Sequence, residues 1–205
     1  MSRRLLAGWL LAILLAVALP LGSYAQDCPL EGTTRSGGQP DAAKQELNKL
    51  KNRTVFPSSI EAIKVPDVIN LGATRDPEHE QLGVTLEGFL LDFKHEGPES
   101  PNCYSDDRRD FHMWVGPQRP SSLKDARAKR KGSVVVEPTP LAQNNHPSWT
   151  EDNFKTVRSK RIRVTGWLMF DPEHPDQIKK TRATLWEVHP VLKIEVFQNG
   201  QWTEF

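Results

Sequence analysis

The chain has 205 residues with 27 basic and 26 acidic side chains, so its formal net charge at pH 7 is only +1. This balance argues against a polycationic protein that binds nucleic acid through charge alone. The length is sufficient for one domain with its own hydrophobic core.

The first 25 residues have the pattern of a secretory signal peptide. Two arginines precede an apolar run from Leu5 to Leu19, and the small residues Ser23 and Ala25 occupy the two positions that signal peptidase reads for cleavage after Ala25. Of the 205 residues, cleavage there would leave 180 with a net charge of −1, since the removed segment holds two arginines and no acid. We expect a secreted or periplasmic protein with no membrane span after cleavage. An uncleaved anchor is the alternative, because the apolar run approaches the length that spans a bilayer.

The mature chain would keep two cysteines, Cys28 and Cys103. In an oxidising compartment we expect a disulfide between them. It would tie the amino-terminal part of the chain to a mid-chain loop and contribute about 4 kcal/mol in the chain-entropy model. A catalytic thiol at Cys103 is the alternative, but the neighbouring residues supply no base.

The chain divides into two parts after the signal peptide. Residues 26–81 are expected to form an irregular amino-terminal extension with one short helix, which Asp41 can cap and which runs to Arg53. Three prolines interrupt residues 54–81, so we expect this segment to lie over the main body. The main body is a β domain over residues 82–205.

Alternation of apolar and polar side chains predicts five strands in the β domain. They cover residues 84–93, 110–115, 133–137, 161–170 and 183–196. A helix is predicted over residues 149–157, between the third and fourth strands. Gly88 lies inside the first strand, where bending or close backbone approach is common.

This order of elements resembles the OB-fold, a five-stranded Greek-key barrel with a helix between strands three and four. The resemblance covers residues 82–196. The phrases Arg163–Trp167 and Trp186–Pro190 are also similar to those of uncharacterised exported bacterial proteins, a likeness that implies no activity. The resemblance implies a mainly β fold, and a sandwich and an open meander are the competing architectures.

Two short motifs each place a carboxylate and an imidazole on one face of a strand. They are Asp110 with His112, and Glu187 with His189. Because side chains alternate between the two faces of a strand, we expect both pairs to point away from the core towards solvent. Glu137 should lie on the same outer face. Strands two and five should lie roughly 10 Å apart across the third, which favours a shallow polar groove with a central carboxylate over one tight metal cage.

Imidazole and carboxylate ligands would admit zinc, manganese or a similar divalent ion. Such an ion could activate water to hydrolyse a phosphodiester or related bond, with Glu137 as general base. The plainer interpretation is that each carboxylate only orients its histidine. The sequence has no nucleotide-binding glycine loop and no nucleophile elbow. We therefore expect no cofactor, with a divalent metal as the alternative.

Two tryptophans of outward parity, Trp114 and Trp167, could stack on bases or sugar rings. Alternatively, each covers a barrel seam or packs beneath the extension. Trp186 has core parity and should be structural. Arg163 could pair across the sheet with Glu187 or Glu195.

We therefore expect an exported OB-like module that binds an unidentified polar ligand, protein or polyanion. Its candidate contacts are Trp114, His112, Glu137, Arg163, Trp167 and His189. The alternative is a metal-dependent hydrolase with Asp110, His112, Glu187 and His189 as ligands, and a structural envelope component is a third. Nucleic acid is not favoured, because the loops that bind ligands in OB-folds are acidic or mixed here.

Overall fold

The computed structural model describes residues 28–34 and 41–205. The signal peptide expected over residues 1–25 lies outside the described residues. Within them, the strands are β1 Ile60–Lys64, β2 Gly83–His95, β3 Phe111–Gly116, β4 Val134–Val136, β5 Arg161–Phe170, β6 Trp186–Gln198 and β7 Gln201–Glu204. The α-helices of this part are α1 Ala42–Lys51, α2 Val65–Ile69, α3 Leu123–Lys129, α4 Pro140–Gln143 and α5 Glu151–Val157.

Five of the strands close into a barrel. β3 pairs antiparallel with β2 and with β4, and β4 runs parallel to β6. β5 pairs antiparallel with both β6 and β2, which completes the circle. Because α5 lies between β4 and β5, the predicted mainly β, OB-like barrel with a helix between its third and fourth strands is confirmed.

The barrel interior collects the apolar faces that the alternation predicted. Ile162, Val164 and Leu168 of β5 are buried, as is Trp186 at the start of β6. The Trp186 ring packs edge-on against Phe170, with 5.2 Å between ring centroids. Burying a large apolar side chain stabilises the fold by about 1.5–3 kcal/mol. Trp186 therefore has the structural role that its parity predicted.

The amino-terminal extension is more regular than the sequence indicated. Asp41 caps α1 by accepting a hydrogen bond from the backbone N–H of Lys44 at 2.6 Å. Within residues 54–81, β1 adds a parallel strand to the edge of β2. Val65 and Val68 of α2 join the main core. The strand was missed because most of its residues are exposed, so they show no apolar alternation.

The disulfide between Cys28 and Cys103 is confirmed, with 5.7 Å between the two Cα atoms. It fastens the described residues 28–34 to the loop between β2 and β3. The side chain of Asn52, which ends α1, donates to the carbonyl of Pro101 in the same loop at 2.9 Å. Together these contacts hold the loop against α1.

No helix within residues 28–34 and 41–205 combines the length and the apolar character needed to cross a bilayer.

Candidate metal centre

Glu137 lies at the middle of a buried group of carboxylates and histidines. It follows β4, and its backbone N–H and C=O bond to Val188 and Val191 of the neighbouring β6 at 3.0 and 2.9 Å. Its Oε1 lies 2.6 Å from His112 Nδ1, and its Oε2 lies 3.3 Å from His189 Nδ1. The central carboxylate expected from parity therefore lies between the two imidazoles.

His112 contacts a second carboxylate as well as Glu137. Its Nδ1 lies 2.7 Å from Oε1 of Glu96, which directly follows β2. The backbone N–H of Glu96 donates to the carbonyl of Asp110 at 2.9 Å, so the ends of β2 and β3 are held together here. Glu96, His112 and Glu137 offer ligand atoms that all lie within 4.8 Å of one another.

His189 is enclosed by carboxylates on both sides of its ring. Its Nδ1 hydrogen-bonds Oε1 of Glu187 at 3.1 Å. Its Nε2 lies 3.3 Å from Oδ2 of Asp110. Asp110, Glu137 and His189 form a second group whose ligand atoms lie within 4.8 Å of one another. We refer to Glu96, Asp110, His112, Glu137 and His189 as the carboxylate–histidine cluster.

Two atoms of the cluster face each other without a hydrogen bond. Oδ2 of Asp110 and Nε2 of His189 are close enough for an ion pair, yet neither has a hydrogen-bond partner in the described part of the chain. Asp110 is 1% exposed and His189 is fully buried. A buried polar atom without a partner costs about 1–3 kcal/mol. Such a pair in a native protein calls for an explanation.

Further charged residues hold the cluster in place from outside. Arg182 is buried, and its Nη1 lies 2.8 Å from Asp171 Oδ2 and 3.4 Å from Glu187 Oε2. The other oxygen of Asp110, Oδ1, accepts a hydrogen bond from the Asn102 side chain at 2.7 Å. The carboxylates that touch His189 are therefore themselves oriented by fixed donors.

The electrostatics of the cluster favour charged side chains despite burial. Burial alone would lower the pKa of both imidazoles, but the surrounding carboxylates raise the pKa of His112 to about 9 and that of His189 to about 10. Burial opposes ionisation of Glu137, yet the two histidines hold the pKa of its carboxyl below the usual range. With no ion bound, the histidines are therefore protonated and Glu137 is ionised at neutral pH, and a metal ion would displace the proton from the ring nitrogen that it binds.

A surface cleft borders the cluster at Glu99. The cleft is lined by Lys44, Pro98, Glu99, Ser100, Pro101, Tyr104, Glu173 and His174. Burial and the charge of Glu137 raise the pKa of Glu99 to about 7, while buried Lys51 acts in the opposite direction.

The prediction that both histidines face solvent is wrong. His112 is 3% exposed and His189 is fully buried. Their strand parity was assigned correctly, since the alternating neighbours belong to the main apolar core: Phe111 and Met113 in β3, and Trp186 and Val188 in β6. The outer face is covered instead by the loop that carries Asn102 and by the turn that carries Arg182. The expected shallow groove is therefore a buried cluster.

The four metal ligands predicted from the sequence lie close together, but only three of them are placed to bind an ion. Asp110, His112 and His189 have atoms in the possible ligand groups. Glu187 belongs to neither group and hydrogen-bonds the ring of His189.

The other predicted contacts lie elsewhere and have partners within the protein. Trp114 is buried, and the guanidinium of Arg130 lies 4.0 Å from its ring centroid. The Trp167 ring N–H donates to the carbonyl of Val55 at 2.9 Å, as expected if it packs beneath the extension. Arg163 pairs with Glu195 at 2.6 Å, one of the two partners that the sequence predicted.

Several residues that shape the cluster were missed by the sequence analysis. They are Glu96, Asn102, Asp171 and Arg182. Glu96 and Asp171 directly follow a strand, Asn102 ends a short 3-10 helix and Arg182 lies in a turn, and at such positions no periodic pattern indicates which way a side chain points. Asp171 and Arg182 flank the connection between β5 and β6. Their position beside the strand that carries Glu187 and His189 was the one sequence feature that could have indicated a role in the cluster.

Comparison with known proteins does not identify a relative: no family model, no curated protein and no solved structure matches the chain.

Proposed function

We propose that this chain is an exported protein that binds a divalent transition-metal ion through Asp110, Glu137 and His189. The observation that carries the proposal is the buried, unbonded pair of Asp110 Oδ2 and His189 Nε2. A divalent cation between these atoms would displace the proton of Nε2 and accept one lone pair from the nitrogen and one from the carboxylate oxygen. The disulfide supports export, because such bonds persist in oxidising compartments.

The donor set suits zinc, and manganese is the next choice. Two carboxylates and one imidazole are ligands that both ions accept. Histidines that bind metals usually donate their other ring N–H to a carboxylate, which fixes the ring. Glu187 is in position to receive that hydrogen bond from Nδ1 of His189, leaving Nε2 for the ion. The Asn102 side chain likewise fixes the carboxylate of Asp110 by donating a hydrogen bond to its Oδ1.

The polar-ligand and hydrolase alternatives have less support from the geometry. Trp114, Trp167 and Arg163 have partners within the protein, so the aromatic face expected for a larger ligand is not free. A hydrolase needs its substrate to reach the ion, and the side chains of Asp110, Glu137 and His189 are at most 8% exposed. Hydrolysis stays a prediction, tested by incubating the zinc-loaded chain with a chromogenic phosphodiester.

The proposal is tested by calorimetric titration of chelator-treated full-length mature protein with zinc and with manganese. We expect saturable binding in the parent, loss of the high-affinity phase in Asp110→Asn and His189→Gln, and unchanged binding in His146→Gln. His146 is a suitable control because it stacks on Trp149, away from the cluster. Circular dichroism spectra would verify that each variant is folded.

Absence of saturable binding in the folded parent would end the proposal. Equal affinity in the parent and in folded His189→Gln would also end it, because the ion would then be held elsewhere on the chain.

A further inference from the structure

We infer that the cluster holds two divalent ions, with Glu137 as the carboxylate that bridges them. The second ion would be bound by Glu96, His112 and Glu137. This inference rests on the proposed function, since it assigns a second site beside the first. It commits to a pair of like transition-metal ions, zinc or manganese.

The first argument is that the two carboxylate oxygens of Glu137 face two different histidines. Oε1 lies 2.6 Å from His112 Nδ1, which would bind the second ion, and Oε2 lies 3.3 Å from Nδ1 of His189, the ring whose other nitrogen would bind the first ion. A carboxylate that offers one oxygen to each side is the typical bridge of a two-metal site, in which the ions lie about 3.5–4 Å apart. Both potential ligand groups include Glu137.

The second argument is the crowding at His112 Nδ1. Oxygens of Glu96 and Glu137 lie 2.7 and 2.6 Å from this one nitrogen. A ring nitrogen carries at most one proton, so it can make only one well-aligned hydrogen bond to these two oxygens. A cation would take the nitrogen and both oxygens as ligands together.

The surroundings of this second group are compatible with an ion. Glu96 is the most exposed member of the cluster, with 16% of its side chain accessible, which gives a route for an ion from solvent. Lys94 reaches Glu96 at 2.8 Å, but half of the lysine side chain is exposed, so it can move away at little cost. On the inner side, Asp110 and His189 would already hold the first ion.

The test is the number of ions bound per chain, measured with zinc by mass spectrometry after dialysis of the full-length mature protein. We expect two ions in the parent. We expect one ion in Glu96→Gln and in His112→Gln, because these changes leave Asp110 and His189 intact. Glu151→Gln is the matched control, since Glu151 lies at the exposed start of α5, and it should retain two.

Titration with manganese, followed by electron paramagnetic resonance, tests the bridge itself. The signal of the first bound ion should broaden when the second ion binds beside it, and this broadening should be lost in His112→Gln. One ion in the parent, with Glu96→Gln and His112→Gln unchanged, would overturn the two-ion inference and leave the single site standing. No ion in the parent would instead overturn the proposed function.

Discussion

His189 and Glu187 lie two residues apart on β6, and their side chains meet at 3.1 Å between Nδ1 and Oε1. This contact occupies one ring nitrogen and turns the other towards Asp110. Arg182, itself held by Asp171, lies 3.4 Å from the second oxygen of Glu187. The orientation of His189 therefore depends on a chain of charged contacts.

Replacing Glu187 with Gln should weaken metal binding without removing a ligand. An amide is a poorer acceptor for the ring N–H, and loss of such a partner typically reduces metal affinity about 10–100-fold. Calorimetric titration with zinc measures the change. Glu195→Gln is the control: Glu195 lies on the same strand as Glu187 but pairs with Arg163 of β5, so the substitution should leave the affinity unchanged. Equal affinity in Glu187→Gln and the parent would show that Glu187 does not position the ring.

Gly166→Ala should destabilise the barrel beside the cluster. The added Cβ would lie 2.1 Å from the carbonyl oxygen of Pro190, so β5 and β6 would have to separate next to His189. Overpacking of this kind costs about 1–3 kcal/mol. Urea unfolding measures the loss. The control is Gly97→Ala, where a Cβ meets no atom within 4 Å, and equal stability of the two variants would contradict the close approach.

Removing the disulfide by Cys28→Ser and Cys103→Ser should lower the free energy of unfolding by about 4 kcal/mol. The bond closes a loop between residues 75 positions apart, and loop-closure entropy sets this magnitude. Urea unfolding of the double variant, compared with the parent under non-reducing conditions, provides the measurement. A difference within experimental error would mean that the contacts of Asn52 alone hold the loop.

The stability that Asp171 supplies should disappear in acid. Burial disfavours its charge, but His174, Lys51 and Arg182 outweigh burial and lower the pKa of Asp171 to about 2. Because this pKa lies below that of the unfolded chain, the stabilisation is present above about pH 4 and is lost as the pH falls towards 2. The shift corresponds to about 2 kcal/mol.

The measurement is the difference in unfolding free energy between the parent and Asp171→Asn. It should be largest near pH 7 and narrow between pH 4 and pH 2. A difference that stayed constant over this range would show that the Asp171 charge contributes nothing.

Local sequence patterns predicted most of the fold but only part of the carboxylate–histidine cluster. Period-two alternation predicted β5 with its observed bounds, and parity placed His112, Glu137 and His189 on one face. Parity says which face of a strand a side chain occupies, and nothing about what later covers that face. Burial of the histidines depends on Asn102 and Arg182, which lie outside the strands and contact Asp110 and Glu187, and no strand alternation predicts these contacts.

Anomalous diffraction at the zinc edge, from crystals of the zinc-loaded chain, tests the proposed centre most directly. We predict a strong peak within the cluster, in contact with Asp110, Glu137 and His189. The contrary result is a set of peaks confined to histidines outside the cluster, such as His79 or His146, with none between Asp110 and His189.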